Sequence, residues 1–162
     1  MVCLLLPAFT GRTGNPSGHA ANTAYNLKNA ITTYFTEYRK YPLETEMADL
    51  TTLTGEELMS VLMGSENEAA LQRNPRKMAF FSDRPAKHVD GKYIKGVQME
   101  KGERYFLLDT WGNQYLVRMD TNYDNRVSSP EDPTQLLPEA VIVWSAGPDG
   151  DFSTWDDNVK TW

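Results

Sequence analysis

The chain is poor in the residues that most often carry chemistry. One cysteine, Cys3, stands among 162 residues, so no disulfide can form within the chain. Cys3 lies in an apolar run and reads as a small hydrophobe. Only two histidines occur, His19 and His88. Neither belongs to a His-Glu-x-x-His or Ser-His-Asp pattern, there is no glycine-rich phosphate loop, and both read as surface residues. The acids crowd short glycine-containing loops and flank no evident cleft, which argues against a two-carboxylate glycosidase. A non-enzymatic role is therefore expected. Basic charge is also scarce: 16 Lys and Arg face 22 Asp and Glu, for a net charge of -6. That field repels a nucleic-acid backbone, and the one basic cluster, Arg73, Arg76 and Lys77, reads as solvated surface.

A long hydrophobic run is missing too. The apolar stretch Met1 to Phe9 (MVCLLLPAF) falls well short of the roughly 20 residues a spanning helix needs. It lacks the basic start and small-residue cleavage site of a secretory signal, and Pro7 would kink or end a helix there. Contact with a membrane is expected only if the native N-terminus is longer.

What is present suits one folded domain: 40% of residues are apolar and 23% are charged. Gly11 to Gly18 (GRTGNPSG) reads as a connector. Residues 1–18 are thus a stub and linker, and residues 19–162 one globular domain. From Ala20 to Tyr38 the positions Leu27, Ile31, Tyr34, Phe35 and Tyr38 share one helix face, and Pro42 follows the helix as a stop. Thr54 to Met63 predicts a second helix, with Thr54 and Glu57 as a capping box and Gly64 as its end. A short helix is expected over Glu66 to Gln72. Strands are predicted at Lys77 to Ser82, Tyr105 to Leu108, Tyr115 to Met119 and Val141 to Trp144. The second and third of these flank the turn Asp109-Thr110-Trp111-Gly112-Asn113 and read as a hairpin. Helices first and strands later argue an α+β fold with an antiparallel sheet.

Two acidic segments invite a cation. Asp149 to Asp157 (DGDFSTWDD) holds four carboxylates in nine residues, with Ser145 and Ser153 nearby. Calcium takes roughly six to eight oxygen ligands in flexible geometry, which such a loop supplies. The competing reading is a solvated acidic turn. The second segment places Asp120, Asn122, Asp124 and Glu131 at the oxygen positions of an EF-hand loop, but a strand enters it and Pro130 and Pro133 follow. A polar loop is the plainer reading there, with a second cation site as the alternative. The tryptophans Trp111, Trp144, Trp155 and Trp162 read as core or rim residues, with a sugar platform as the alternative.

Four stretches resemble the type II secretion major pseudopilins and related type IV pilin-like proteins. Leu4-Leu5-Leu6-Pro7-Ala8-Phe9 is similar to the middle of the pilin membrane helix. Leu27 to Pro42 is similar to its amphipathic half and the tyrosine-proline that closes it. Asp109 to Tyr115 (DTWGNQY) resembles the pseudopilin turn. Ser145 to Gly150 (SAGPDG), with Asp156, Asp157 and Trp162, resembles the family's calcium loop. The prepilin peptidase site and about half of the membrane helix have no counterpart, so the chain is either a piece that starts inside its natural protein or a soluble relative.

The resemblance implies a long N-terminal helix packed on a small antiparallel sheet, with a calcium loop at the C-terminus. It implies Asp149, Asp156 and Asp157 as ligands, completed by Ser145 or backbone carbonyls; Asp151 is added on chemistry alone. It also implies a structural subunit of a secretion pseudopilus or surface pilus. Such a subunit would self-associate with pilin-like partners and engage the secretion or pilus assembly machinery in the cell envelope. The alternative is an exported calcium-dependent glycan-binding or adhesion module.

Overall fold

The computed structural model describes residues 14–45 and 48–162. The apolar stretch Met1 to Phe9, with Cys3, lies outside the described residues. The fold is α+β: among the described residues three helices precede most of the strands, and every strand pair in the ladders is antiparallel.

Helix α1 runs Pro16–Tyr38. It starts earlier than expected, inside the stretch read as linker. The reason is local: the Asn15 side chain caps the helix by accepting the Gly18 N–H at 3.1 Å, and Pro16 stands at the first helical position, where its missing N–H costs nothing. The boundary at Gly18 therefore falls within the first turn. Ala20, Ala24, Leu27, Ile31 and Tyr34 form the buried face. The face away from the core, from His19 to Thr36, is polar and almost uncharged. Its one charged residue, Lys28, is paired with Glu139 at 2.8 Å.

The main sheet has four strands: β1 (Leu50–Leu53), β6 (Leu116–Met119), β9 (Val141–Ser145) and β10 (Val159–Lys160), in the order β1-β6-β9-β10. All five residues of β9 are buried. Because alternate residues point to opposite faces, Val141 and Val143 face the core built by α1, while Ile142 and Trp144 face a second, smaller core. That smaller core is closed by Val127, Leu137, Phe152, Trp155 and Trp162. A strand covered on both sides explains the unbroken apolar run VIVW.

Helix α2 (Glu56–Met63) carries Leu58, Met59, Val61 and Leu62 into the main core, and α3 (Glu68–Arg73) follows. Gly64 ends α2 in the left-handed conformation, as expected; its N–H returns to Ser60 and Val61. The capping box does not form. Gly55 is the N-cap, and Thr54, fully buried, turns away to bridge two strands. Its N–H donates to the Tyr115 carbonyl at 2.9 Å and its carbonyl accepts the Leu107 N–H at 2.9 Å. Its hydroxyl donates to the Leu107 carbonyl at 2.8 Å and accepts the Tyr115 N–H at 2.9 Å.

Thr54 thereby also removes the expected hairpin. Strand β5 (Arg104–Leu108) pairs with β4 (Gly96–Glu100), not with β6, and only an isolated bridge, Leu108 to Gln114, joins the two flanks of the turn. Lys77 to Ser82 is not a strand. Phe80 and Phe81 both donate their N–H to the Leu62 carbonyl, so the segment docks on the end of α2. Two short ladders complete the chain: β2 (Lys87–Val89) with β3 (Lys92–Ile94), and β7 (Val127–Ser128) with β8 (Leu136–Leu137). The first turns at Asp90-Gly91, both at positive φ, which is the usual signature of a two-residue hairpin.

Candidate functional site

The two C-terminal motifs lie far apart in sequence and meet in space. Asp109 is buried at 1% exposure and organises the turn that follows β5. Its Oδ1 accepts the N–H of Trp111 at 2.9 Å and of Asn113 at 2.8 Å. Its Oδ2 accepts the Ser145 hydroxyl at 2.5 Å. The Ser145 Oγ in turn accepts the Gly147 N–H at 3.1 Å, and the Asn113 side-chain amide donates to the Gly147 carbonyl at 3.1 Å. Burial pushes the Asp109 carboxyl above the usual carboxylate range, against the opposing pull of these donors.

Gly147 is the close-approach point of this hub. It has φ +68°, and a Cβ there would stand 2.5 Å from the Asp157 carbonyl oxygen. Chain 147 and chain 157 therefore touch, and the acidic loop between them closes on itself. Phe152, Trp155 and Trp162 hold the loop down by packing on Trp144 and its neighbours. Trp144, Trp155 and Trp162 thus meet edge to face and serve packing, Trp111 sits half-buried in its turn outside this cluster, and His19 and His88 are exposed, as expected.

Within the loop the predicted ligands divide. Asp149 Oδ1 accepts the Asp151 N–H at 2.8 Å. Asp151 Oδ1 accepts the Ser153 N–H at 2.8 Å and the Ser153 hydroxyl at 2.7 Å. These bonds hold the Asp151 carboxyl below the usual range. Both carboxylates stabilise local turns of the Asx kind. Asp156 is exposed. Asp157 is half-buried, and its Oδ1 is covered without any hydrogen-bond donor. The side-chain oxygen of the next residue, Asn158, is covered and undonated too, while its amide donates to the Phe152 carbonyl at 3.0 Å.

Two buried oxygens without donors beside a closed acidic loop are the donor type calcium takes. Among the described residues no three His, Cys, Asp or Glu side chains gather into one metal-holding group. A cation here would draw on the Asn158 amide oxygen and backbone carbonyls as much as on the Asp157 carboxylate. Asn158 is the member that sequence reasoning did not name; an amide gives no charge signal to find it by.

The second segment is built from turns. Asp120 is buried at 2% exposure, and its two oxygens accept the N–H groups of Asp124 at 3.0 Å and Asn125 at 2.7 Å. Asn122 Oδ1 accepts the Asp124 N–H at 3.1 Å, and Asp124 Oδ1 accepts the Arg126 N–H at 2.9 Å. Glu131 pairs with the Lys160 ammonium. The basic cluster is neutralised in the same manner, with Arg73 on Glu57, Arg76 on Glu37 and Lys77 on Glu66.

No helix among the described residues is long and apolar enough to cross a membrane. Comparison with protein-family models, curated proteins and solved structures gives no match, so the geometry and the sequence motifs carry the functional argument.

Proposed function

We propose that the chain is a structural subunit of a pilin-like filament, of the type II secretion pseudopilus or type IV pilus kind, and that its C-terminal loop binds calcium. The observation that supports this most is the meeting of the two motifs on which the resemblance rests. The Asp109-to-Asn113 turn and the Ser145-to-Gly147 strand end interlock through Ser145 to Asp109 and Asn113 to Gly147.

The helix adds support. In a filament α1 would pack beside copies of itself, and its outward side up to Thr36 buries almost no charge in doing so, Glu37 beyond it being paired with Arg76. The cell envelope is the compartment such an assembly occupies, and other pilin-like subunits and the assembly machinery are the partners. Calcium would neutralise the crowded acids and give Asp157 and Asn158 the partner they lack, so loop order would be coupled to metal binding.

The test is calorimetric titration of calcium into the metal-stripped protein, with a parallel thermal melt. Saturable binding with a raised melting temperature is expected, and Asp157→Ala or Asn158→Ala should abolish the increase. No heat and identical melts with calcium and with EDTA would remove the calcium part of the reading.

A further inference from the structure

A crevice of about 200 Å³ opens between α1, the Asp120 loop and the start of β9. It lies apart from the C-terminal loop and has no part in the function proposed above. Three aromatic rings line it. Phe35 and Tyr41 stand 4.9 Å apart, Tyr41 and Tyr123 stack at 5.8 Å with 29° between their planes, and Phe35 and Tyr123 are 6.1 Å apart. Asp120 lines the same crevice and is itself 98% buried, since only 2% of it is exposed. Among the described residues lining the crevice none is lysine, arginine or histidine.

The site is rigidly built. Tyr123 adopts φ +62°, an uncommon conformation for a bulky side chain. The Asp120 carboxylate holds the loop there through Asp124 and Asn125, and the Tyr123 hydroxyl donates to Glu44. Glu44 also accepts the Tyr41 N–H at 3.3 Å. A second carboxylate is thereby fixed beside Tyr41 and Tyr123.

Negative charge prevails around these rings. Burial first, and then Asp120, pushes the Tyr41 phenol up to about 12. Burial first, and then Glu44, does the same for Tyr123, also to about 12. An ionised carboxylate has about four lone-pair directions, and Asp120 fills only two with protein donors, so it retains accepting capacity. Aromatic faces combined with carboxylates and no cation form the chemistry that attracts an organic cation. The volume lies below the ~300–1,000 Å³ of pockets for drug-sized ligands, which limits the occupant to a head group.

We propose that Phe35, Tyr41, Tyr123 and Asp120 form a binding site for a small organic cation, an alkylammonium or guanidinium head group, free or carried on a side chain.

The test is NMR titration of the full chain with choline and with N-acetyl-arginine amide. The control is 3,3-dimethylbutanol, the uncharged isostere of choline. Saturable shifts centred on Tyr41, Asp120 and Tyr123, stronger for either cation than for the isostere, support the site. The ranking of choline against the arginine derivative then says whether ammonium or guanidinium is the native class. Tyr123→Leu, at a half-exposed position, should weaken binding about 3–30-fold with little change in melting temperature. Asp120→Asn should weaken it about 10-fold if it folds; Glu44→Gln is the milder second variant and should weaken it several-fold. Equal binding of the isostere, affinity unchanged in both Tyr123→Leu and Glu44→Gln, or no saturable shift at tens of millimolar would overturn the proposal.

Discussion

Replacing Thr54 by valine removes one hydroxyl and almost no volume, yet the structure predicts a large loss. Thr54 is wholly buried, and its Oγ serves two backbone groups, the Leu107 carbonyl and the Tyr115 N–H. Valine leaves both without a partner. Each unsatisfied buried polar group costs about 1–3 kcal/mol, so the expected destabilisation for the two is about 2–6 kcal/mol. For a domain of this size that lowers the melting temperature by about 5–25 °C. Thr54→Ser keeps the hydroxyl and loses one methyl, at a cost of about 1 kcal/mol. The assay is denaturant unfolding of the three proteins, together with hydrogen exchange at the Tyr115 amide, which should lose protection only in Thr54→Val. Equal midpoints for valine and serine would refute the assignment of Thr54 as the bridge between β5 and β6.

Gly147→Ala should destabilise the C-terminal loop by more than about 1 kcal/mol, because it combines φ +68° with a clash at the Asp157 carbonyl; Gly102→Ala, at φ +85° with open space around it, should cost less, and denaturant midpoints of the two variants compare them. Asp109→Asn tests the buried carboxylate by pH. The folded chain holds the Asp109 proton more tightly than the unfolded one, so its contribution is complete below the ordinary value of 3.8 and is lost as pH rises through the raised value. The variant should therefore gain on the wild type in denaturant midpoint as pH rises above the ordinary carboxylate value, and parallel curves would contradict the burial argument. Leu27→Ala, at a fully buried position on α1, should cost about 2–5 kcal/mol by the same assay.

Elements with a strong period were legible in the sequence. The 3.6-residue spacing of Leu27, Ile31 and Tyr34 reports the buried face of α1, and the apolar run Val141 to Trp144 reports a strand covered on both sides. Local capping logic failed at Thr54 because a long-range partner won. A buried hydroxyl between Leu107 and Tyr115 satisfies two interior groups, whereas a capping box would have satisfied groups that water can reach. Phe80 and Phe81 look like strand residues, but the Leu62 carbonyl at the end of α2 takes both their N–H groups. The β2–β3 hairpin carries its signal in Asp90-Gly91 alone, and the charged residues around that pair mask the strand pattern. Strands of two residues, such as β7, β8 and β10, carry too little pattern to be seen.

The candidate site was legible as two motifs but not as one place. Nothing in the spacing of Asp109 and Ser145 says that they share a hydrogen bond, and Asp149 and Asp151 gave the same acidic signal as Asp157 although they are engaged in their own turns. Asp120 shows the same limit. Its spacing to Glu131 suggests a metal loop, while the folded chain sets it under three aromatic rings that come from two other segments and its own.

The filament assignment is tested most directly by immunogold electron microscopy of filaments sheared from cells that express the natural gene, with antibodies raised against residues 19–162. The account predicts gold along the filament length, lost when the gene is deleted. Unlabelled filaments, with the protein found only as a dispersed species, would contradict it.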